Sequence, residues 1–204
     1  VIILSFYTVV IGWIIKYVIT SITSLPTSVK EAGDSFGEMV TTDVTSQFVY
    51  FNIAFFITIF IVTKGIKQGI EKVNLILMPL LIMILIALFF YATTLDGFSH
   101  AVNFLFIPDW SKVTDTTVLK AMGHAFFTLS LGMGTIMTYA ASLPKEANVL
   151  KASASVAIID TLIALVAGLV IFSFLFNGGA EPAAGPGLVF ISLPPIFAEF
   201  GSLG

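Results

Sequence analysis

Apolar residues crowd into five stretches of the chain, with short polar segments between them. These are residues 1–23, 48–63, 73–95, 119–143 and 153–176. Each approaches or exceeds the ~20 residues that a helix needs to cross a bilayer core. The second becomes 48–69 when the lysine-bearing turn behind it is included. The run MPLLIMILIALFFY at 78–91 is apolar on every face. A membrane barrel needs alternation in segments of about ten, so helices are predicted instead. The fold class is all-α and membrane-spanning, with a single transmembrane domain over 1–204.

Inside 119–143 the apolar pattern falters, at TLSLGMG. Glycine weakens a helix by about 1 kcal/mol relative to alanine. Ser and Thr hydroxyls compete for backbone groups. Thr128 and Ser130 followed by Gly132 and Gly134 therefore predict unwinding near 128–134. Unwound backbone is tolerated in a membrane only when buried in protein or lining a wet cavity. There its carbonyls suit a cation, its N–H groups suit an anion, and the half-helix ends add their dipoles. A zwitterionic amino acid with sodium matches such a site. Small residues also serve plain helix packing, and the pattern alone leaves both readings open.

Two segments between the spans carry their own pattern. GFSHAVNFLFIPDWSK at 97–112 mixes aromatic and polar residues as an interfacial helix does. Residues 177–204 hold Pro182, Pro186, Pro194 and Pro195. Their apolar middle, GLVFISLPPIFAEF at 187–200, is too short to span and reads as a re-entrant or capping hairpin or an interfacial loop.

Composition excludes several classes. The chain is 57% hydrophobic and 10% charged, with a mean hydropathy of +1.05. That places it among integral membrane proteins. No cysteine is present, which removes disulfides and thiolate metal sites. All nine basic residues are lysines without clustering, so no nucleic-acid partner is indicated. The chain opens at Val1 inside an apolar run, without Met or a basic lead. It is read as part of a larger polypeptide rather than as starting with a signal peptide.

Charge orients the spans. Residues 64–72 carry Lys64, Lys67 and Lys72 against Glu71, and 144–152 carry Lys145 and Lys151 against Glu146. Both short loops are net positive and are expected on the cytoplasmic side. The remaining loops, richer in acids, then face outward. Lys16, Lys30, Lys112 and Lys120 also fall there, so the rule holds on balance.

Asp160 is the second chemical signal. It sits mid-span, where a carboxylate costs about 3 kcal/mol or more and needs a partner. Ser153, Ala157, Ala164 and Gly168 share its face as a small-residue stripe, which turns it toward the bundle interior. Cation ligand, proton carrier and structural hydrogen bond are its candidate roles. Tyr7 could point a phenol into a pocket or be an ordinary span residue. His124 could join a polar network or cap a neighbouring carbonyl.

These residues carry a family resemblance. GHAFFTLSLGMGTIMTYAASLP at 123–144 closely resembles the broken sixth helix of the neurotransmitter:sodium symporter family, in its bacterial branch. Phe6, Tyr7 and Trp13 resemble its third helix, and 65–79 (GIKQGIEKVNLILMP) the loop and start of its fifth. FLFIPDWSK at 104–112 and GLVFISLPPIF at 187–197 resemble its third and fourth outer loops. The resemblance implies family helices three to seven of a LeuT-like inverted-repeat fold, one helix broken mid-membrane, with an outer capping loop. It implies no enzyme but a sodium-coupled amino-acid symporter in the bacterial cytoplasmic membrane. Sodium is the coupling ion and no further cofactor is expected.

The resemblance also assigns roles. Thr128 and Asp160 would ligate sodium. Ile3, Tyr7, Phe127, Ser130 and Met133 would line the substrate pocket, with Phe127 as its lid. Gly132 and Gly134 would be the hinge of the broken helix. Asp160 would supply the charge that chloride supplies in animal members, since Ala164 stands where some bacterial members carry it. His124 replaces the family's common Gln, and Met133 a Phe found in some relatives. Other helices of the same polypeptide would complete the sites. Two rival readings fit the residues less well. A serine hydrolase would need Ser130 and His124 to meet, yet six helical residues separate them by about 240° and ~9 Å. An ion channel would need a continuous polar stripe beyond Asp160 and the hydroxyls at the break.

Overall fold

The computed structural model describes residues 2–141, 143–144, 147–180, 182 and 185–200. Among them no strand occurs, and the membrane-type helical class stands. Helix α1 runs Ile2–Thr23, α2 Val29–Thr41 and α3 Val44–Thr63. A π-helical turn at Ile66–Glu71 leads straight into α4, Lys72–Ala92. Then come α5 (Gly97–Phe106), a 3-10 turn (Trp110–Lys112), α6 (Asp115–Thr128) and α7 (Thr135–Ala140). Helix α8 spans Val149–Asn177, followed by a second π-helical turn at Leu188–Ser192 and α9, Leu193–Phe200. Among the described residues, four continuous helices are long and apolar enough to cross a bilayer: Ile3–Thr23, Val44–Thr63, Ile66–Ala92 and Val149–Asn177. The fifth apolar stretch is divided between α6 and α7.

The chain forms two compact units, residues 1–101 with 169–204, and residues 102–168. In the first, α1 and α3 lie against each other at Gly12. A Cβ there would stand 3.1 Å from the Phe51 amide nitrogen, so the missing side chain is what lets the backbones approach. Lys16 Nζ meets Asp43 Oδ2 at 2.8 Å and ties the two helices near one end. Asp43 also caps α3, its Oδ1 accepting from the Ser46 amide at 3.0 Å.

Two segments differ from the expectation of simple loops. Helix α2 fills most of the stretch between α1 and α3. Its Ala32 and Met39 are buried while Glu31, Asp34 and Glu38 face out, so it is an amphipathic surface helix. Ser28 caps it, accepting from the Glu31 amide at 3.2 Å. The turn after α3 is also tighter than a loop over 64–72. Gly65 takes a left-handed φ of 76°, and helical bonding resumes at Ile66. Gly69 then lies so close to the Ile61 carbonyl that any side chain would overlap it.

The core of this unit is Ala92, Val170, Phe174, Leu175 and Ile196, flanked by Leu85, Phe89 and Phe98. Gly97, at the start of α5, sits directly on the Ser173 carbonyl and the Asn177 amide of α8. Ser173 is wholly buried, and its hydroxyl donates to the Leu169 carbonyl at 2.6 Å. The 188–200 segment rests on α2, where Phe190 stacks on Phe36 at 5.2 Å. Pro194 and Pro195 stand where the π-helical turn runs directly into α9, and there they remove two backbone donors from a continuous helical segment. In the second unit, the position of a Cβ on Gly168 of α8 would stand 3.4 Å from a Leu105 methyl of α5.

Two outcomes are expected from this packing. Gly97→Ala should destabilise the full-length protein by about 1–3 kcal/mol through backbone overlap. Gly123→Ala, in open space on α6, should stabilise by up to about 1 kcal/mol. Thermal unfolding in detergent gives the order, and the reverse order would refute the α5–α8 contact.

The second outcome concerns acid. The Lys16 ammonium and the Ser46 hydroxyl and amide hold the Asp43 carboxyl below the usual carboxylate range. A depressed native pKa contributes stability above the unfolded value of about 3.9, which is lost as pH falls below it. Asp43→Asn should lower stability at neutral pH and flatten that acid limb in pH-dependent melts.

Candidate functional site

The break in the fifth apolar stretch is built by the way α6 ends. Helix α6 begins at a capping box, where the Thr114 amide donates to Thr117 Oγ1 at 3.1 Å. Its last helical residue is Thr128. Beyond it, the Ser130 amide donates to the Phe127 carbonyl at 3.0 Å and the Leu131 amide to the Phe126 carbonyl at 2.9 Å. This pair of bonds is a Schellman motif, which needs a left-handed residue at Ser130. Ser130 has φ 55°, a conformation glycine usually takes. Gly132 and Gly134 follow with φ 78° each, and α7 starts at Thr135.

The hydrogen-bond count follows from this geometry. The carbonyls of Ala125, Phe126 and Phe127 are used to close α6. From Thr128 to Met133, no carbonyl accepts a close, well-aligned backbone hydrogen bond among the described residues, although Leu131 and Gly132 still follow a turn. The amides of Gly132, Met133 and Gly134 likewise donate to no described group. The α6 C-terminus adds the negative end of its dipole to this row of open carbonyls. Six residues of α7 follow, so the second half-helix is short. Such a segment can hold a cation by oxygen atoms alone. Among the described residues no group of three or more His, Asp or Glu could hold a metal ion.

The candidate residues fall into two sets. Phe127, Thr128, Ser130, Gly132, Met133 and Gly134 are contiguous in the break, and His124 lies one turn before Thr128 on α6. Asp160 belongs to the same unit, on α8. Its side chain is half-buried, as is Ala157 one turn before it, whereas Ile158, Ile159 and Leu162 are exposed. Of the rest of the small-residue stripe, Gly168 is half-buried, whereas Ser153 and Ala164 are exposed. The Thr161 hydroxyl donates back to the Ala157 carbonyl at 2.9 Å. Asp160 itself forms no hydrogen bond or ion pair among the described residues. Ile3 and Tyr7 belong to the other unit, one turn apart on α1, both exposed. Tyr7 meets Phe6 edge-on at 6.0 Å. Ser130 and His124 share no hydrogen bond, so no nucleophile–base pair is formed.

Lys145 lies outside the described residues, whereas Lys151 opens α8. The sequence reading missed the left-handed serine. Its signal was the Schellman spacing, a hydrophobic residue at Leu131 facing Phe126 around a short polar residue.

Comparison with known proteins gives the family. The profile of the sodium:neurotransmitter symporter family matches residues 28–202. The chain is 35% identical over 208 residues to the uncharacterised sodium-dependent transporter YhdH of Bacillus subtilis, covering 98% of the chain and 45% of that protein. It is 36% identical over 203 residues to an uncharacterised sodium-dependent transporter of Haemophilus influenzae, covering 97% of the chain and 44% of that protein. More distantly, it is 28% identical over 159 residues to the sodium-dependent nutrient amino acid transporter 1 of Drosophila melanogaster, covering 72% and 24%. The chain thus spans less than half the length of these curated relatives. No solved structure matches it significantly. A helix broken at TLSLGMG, the apolar spans around it and the match over 28–202 lead to one assignment: the chain belongs to the sodium:neurotransmitter symporter family.

Proposed function

We propose that the chain is part of a sodium-coupled amino-acid symporter that works by alternating access. The observation that carries this is the run of open carbonyls from Thr128 to Met133 between two half-helices. Exposed carbonyl oxygen is what a partly dehydrated cation needs, and open amides beside it suit a carboxylate. The Drosophila relative's name, a sodium-dependent amino acid transporter, supports the substrate class.

In this reading Thr128 and Asp160 ligate sodium. Ser130, Met133 and the Phe127 lid line the substrate pocket, joined by Ile3 and Tyr7 from α1. The left-handed Gly132 and Gly134 let the break flex. His124 contributes to a polar network on the same face of α6 as Thr128. Asp160 is the fixed negative charge beside sodium, so transport needs no chloride, and its protonation accompanies return of the empty carrier. Residues 64–72 and 144–152 face the cytoplasm of a bacterial cell. The 177–204 segment caps the opposite, outer side. Other helices of the full-length protein complete both sites.

The test is uptake of labelled amino acids into proteoliposomes holding the full-length protein under an inward sodium gradient. Accumulation should require sodium and persist without chloride. Uptake unchanged when potassium replaces sodium would refute the coupling. Thr128→Ala should raise the half-saturating sodium concentration about tenfold, the effect of losing roughly 1.4 kcal/mol of ion binding.

Asp160→Asn should abolish chloride-independent uptake and remove the pH dependence of the return step. A folded Asp160→Asn protein that stayed sodium-coupled without chloride would sink the charge assignment.

A further inference from the structure

Within a helix, a carbonyl bonds to the amide four residues on, or five on in a π-helical turn. For Phe190 both of those positions are proline, Pro194 and Pro195. Proline has no N–H. The segment itself therefore cannot supply either donor to the Phe190 carbonyl. Tyr17 supplies one instead: its hydroxyl donates to that carbonyl at 3.1 Å across 173 positions of sequence.

The surroundings favour this bond. Phe190 is 4% exposed. Its ring stacks on Phe36 at 5.2 Å and lies 5.0 Å from the Tyr17 ring and 6.0 Å from Trp13. Trp13 Nε1 is buried and has no acceptor among the described residues. The indole thus contributes ring contact only, and the tyrosine hydroxyl carries the directional link.

We propose that Tyr17 is a positioning residue that latches the 188–200 segment to α1, through a carbonyl that Pro194 and Pro195 keep open for it. The latch is reversible by construction. When the segment lifts, water can take the place of the Tyr17 hydroxyl, so little is lost in net hydrogen bonding. An intrahelical donor would remove that dependence, and the prolines prevent it. Its use in transport rests on the symporter reading, in which this segment caps the outer vestibule. Docking and release would then be set by α1, the helix that also bears Ile3 and Tyr7.

Hydrogen exchange of amides 188–193, in the full-length protein in lipid nanodiscs, tests the latch directly. Tyr17→Phe keeps the ring and removes only the hydroxyl. It should speed exchange about two- to tenfold, the range of one net hydrogen bond. In a Pro194→Ala/Pro195→Ala background the helix regains its donors, and Tyr17→Phe should then leave exchange unchanged. Single Pro194→Ala carries the same comparison if the double variant does not fold. Unchanged exchange in Tyr17→Phe alone overturns the proposal, as does an equal increase in both backgrounds. Sodium-driven uptake measured on the same preparations separates the two readings. Exchange that follows the expected pattern in a protein without uptake supports the latch and counts against the symporter reading alone.

Discussion

Backbone hydrogen bonding away from water is the constraint on which this structure turns. In hydrocarbon, an unpaired amide or carbonyl costs several kcal/mol. Helices α1, α3 and α8 meet that demand within themselves, and α4 does so except at Pro79, which supplies no donor to the Leu75 carbonyl. The stretch between α6 and α7 does not. Its Schellman closure satisfies the carbonyls up to Phe127 and leaves those from Thr128 onward without a described partner. A left-handed serine and two left-handed glycines hold that arrangement. A non-glycine residue in this conformation costs about 1–2 kcal/mol, so the rest of the fold must hold it there.

Close backbone approach is the complementary device. Lipid tails are as apolar as leucine, so helices gain little from hydrophobic burial against each other and rely on contact. Gly12 on α1, Gly69 before α4 and Gly97 on α5 each face backbone where a side chain would collide. Gly12 sets the α1–α3 crossing, Gly69 the tight return after α3, and Gly97 the seat of α5 on α8, the helix that carries Val170, Phe174 and Leu175 of the core. Against that scaffold the Lys16–Asp43 pair adds direction at one end of the α1–α3 contact. The pair is half-buried, and it ties one end of a crossing whose close backbone approach depends on Gly12.

Hydropathy alone made the helical class legible, because uniformly apolar runs admit no half-exposed strand. The weak point at TLSLGMG was legible as well, from Gly, Ser and Thr gathered where a helix gains most from alanine. The sequence did not reveal which residue turns left-handed. Propensity points to the glycines, whereas the spacing of the terminal hydrogen bonds puts the turn at Ser130. Helix α2 was hidden by its charges. Lys30, Glu31, Asp34 and Glu38 read as a solvated loop until Ala32 and Met39 are seen to share a buried face. Residues 64–72 misled in the same way, since Lys, Gln and Glu are good helix formers and only Gly65 interrupts. A pocket role for Ile3 and Tyr7 is implied only by the family resemblance, because no local pattern links α1 to a break more than a hundred residues away.

The two irregular segments free carbonyls by different means, and the difference bears on what each can do. At 188–195 consecutive prolines remove the donors of one carbonyl, and one distant hydroxyl replaces them. That gives a contact between parts of the chain. At 128–133 left-handed turns release a contiguous row of carbonyls, with neighbouring amides, and no described residue answers them. A row of that length exceeds what one side chain can satisfy. It calls for a partner with several donors or a charge, supplied by water, a solute, an ion or further helices. A small-residue packing face would bury such groups against backbone, as Gly97 does at Ser173. At Gly132, by contrast, an added Cβ would meet nothing within 4 Å, so no described backbone packs against the break there.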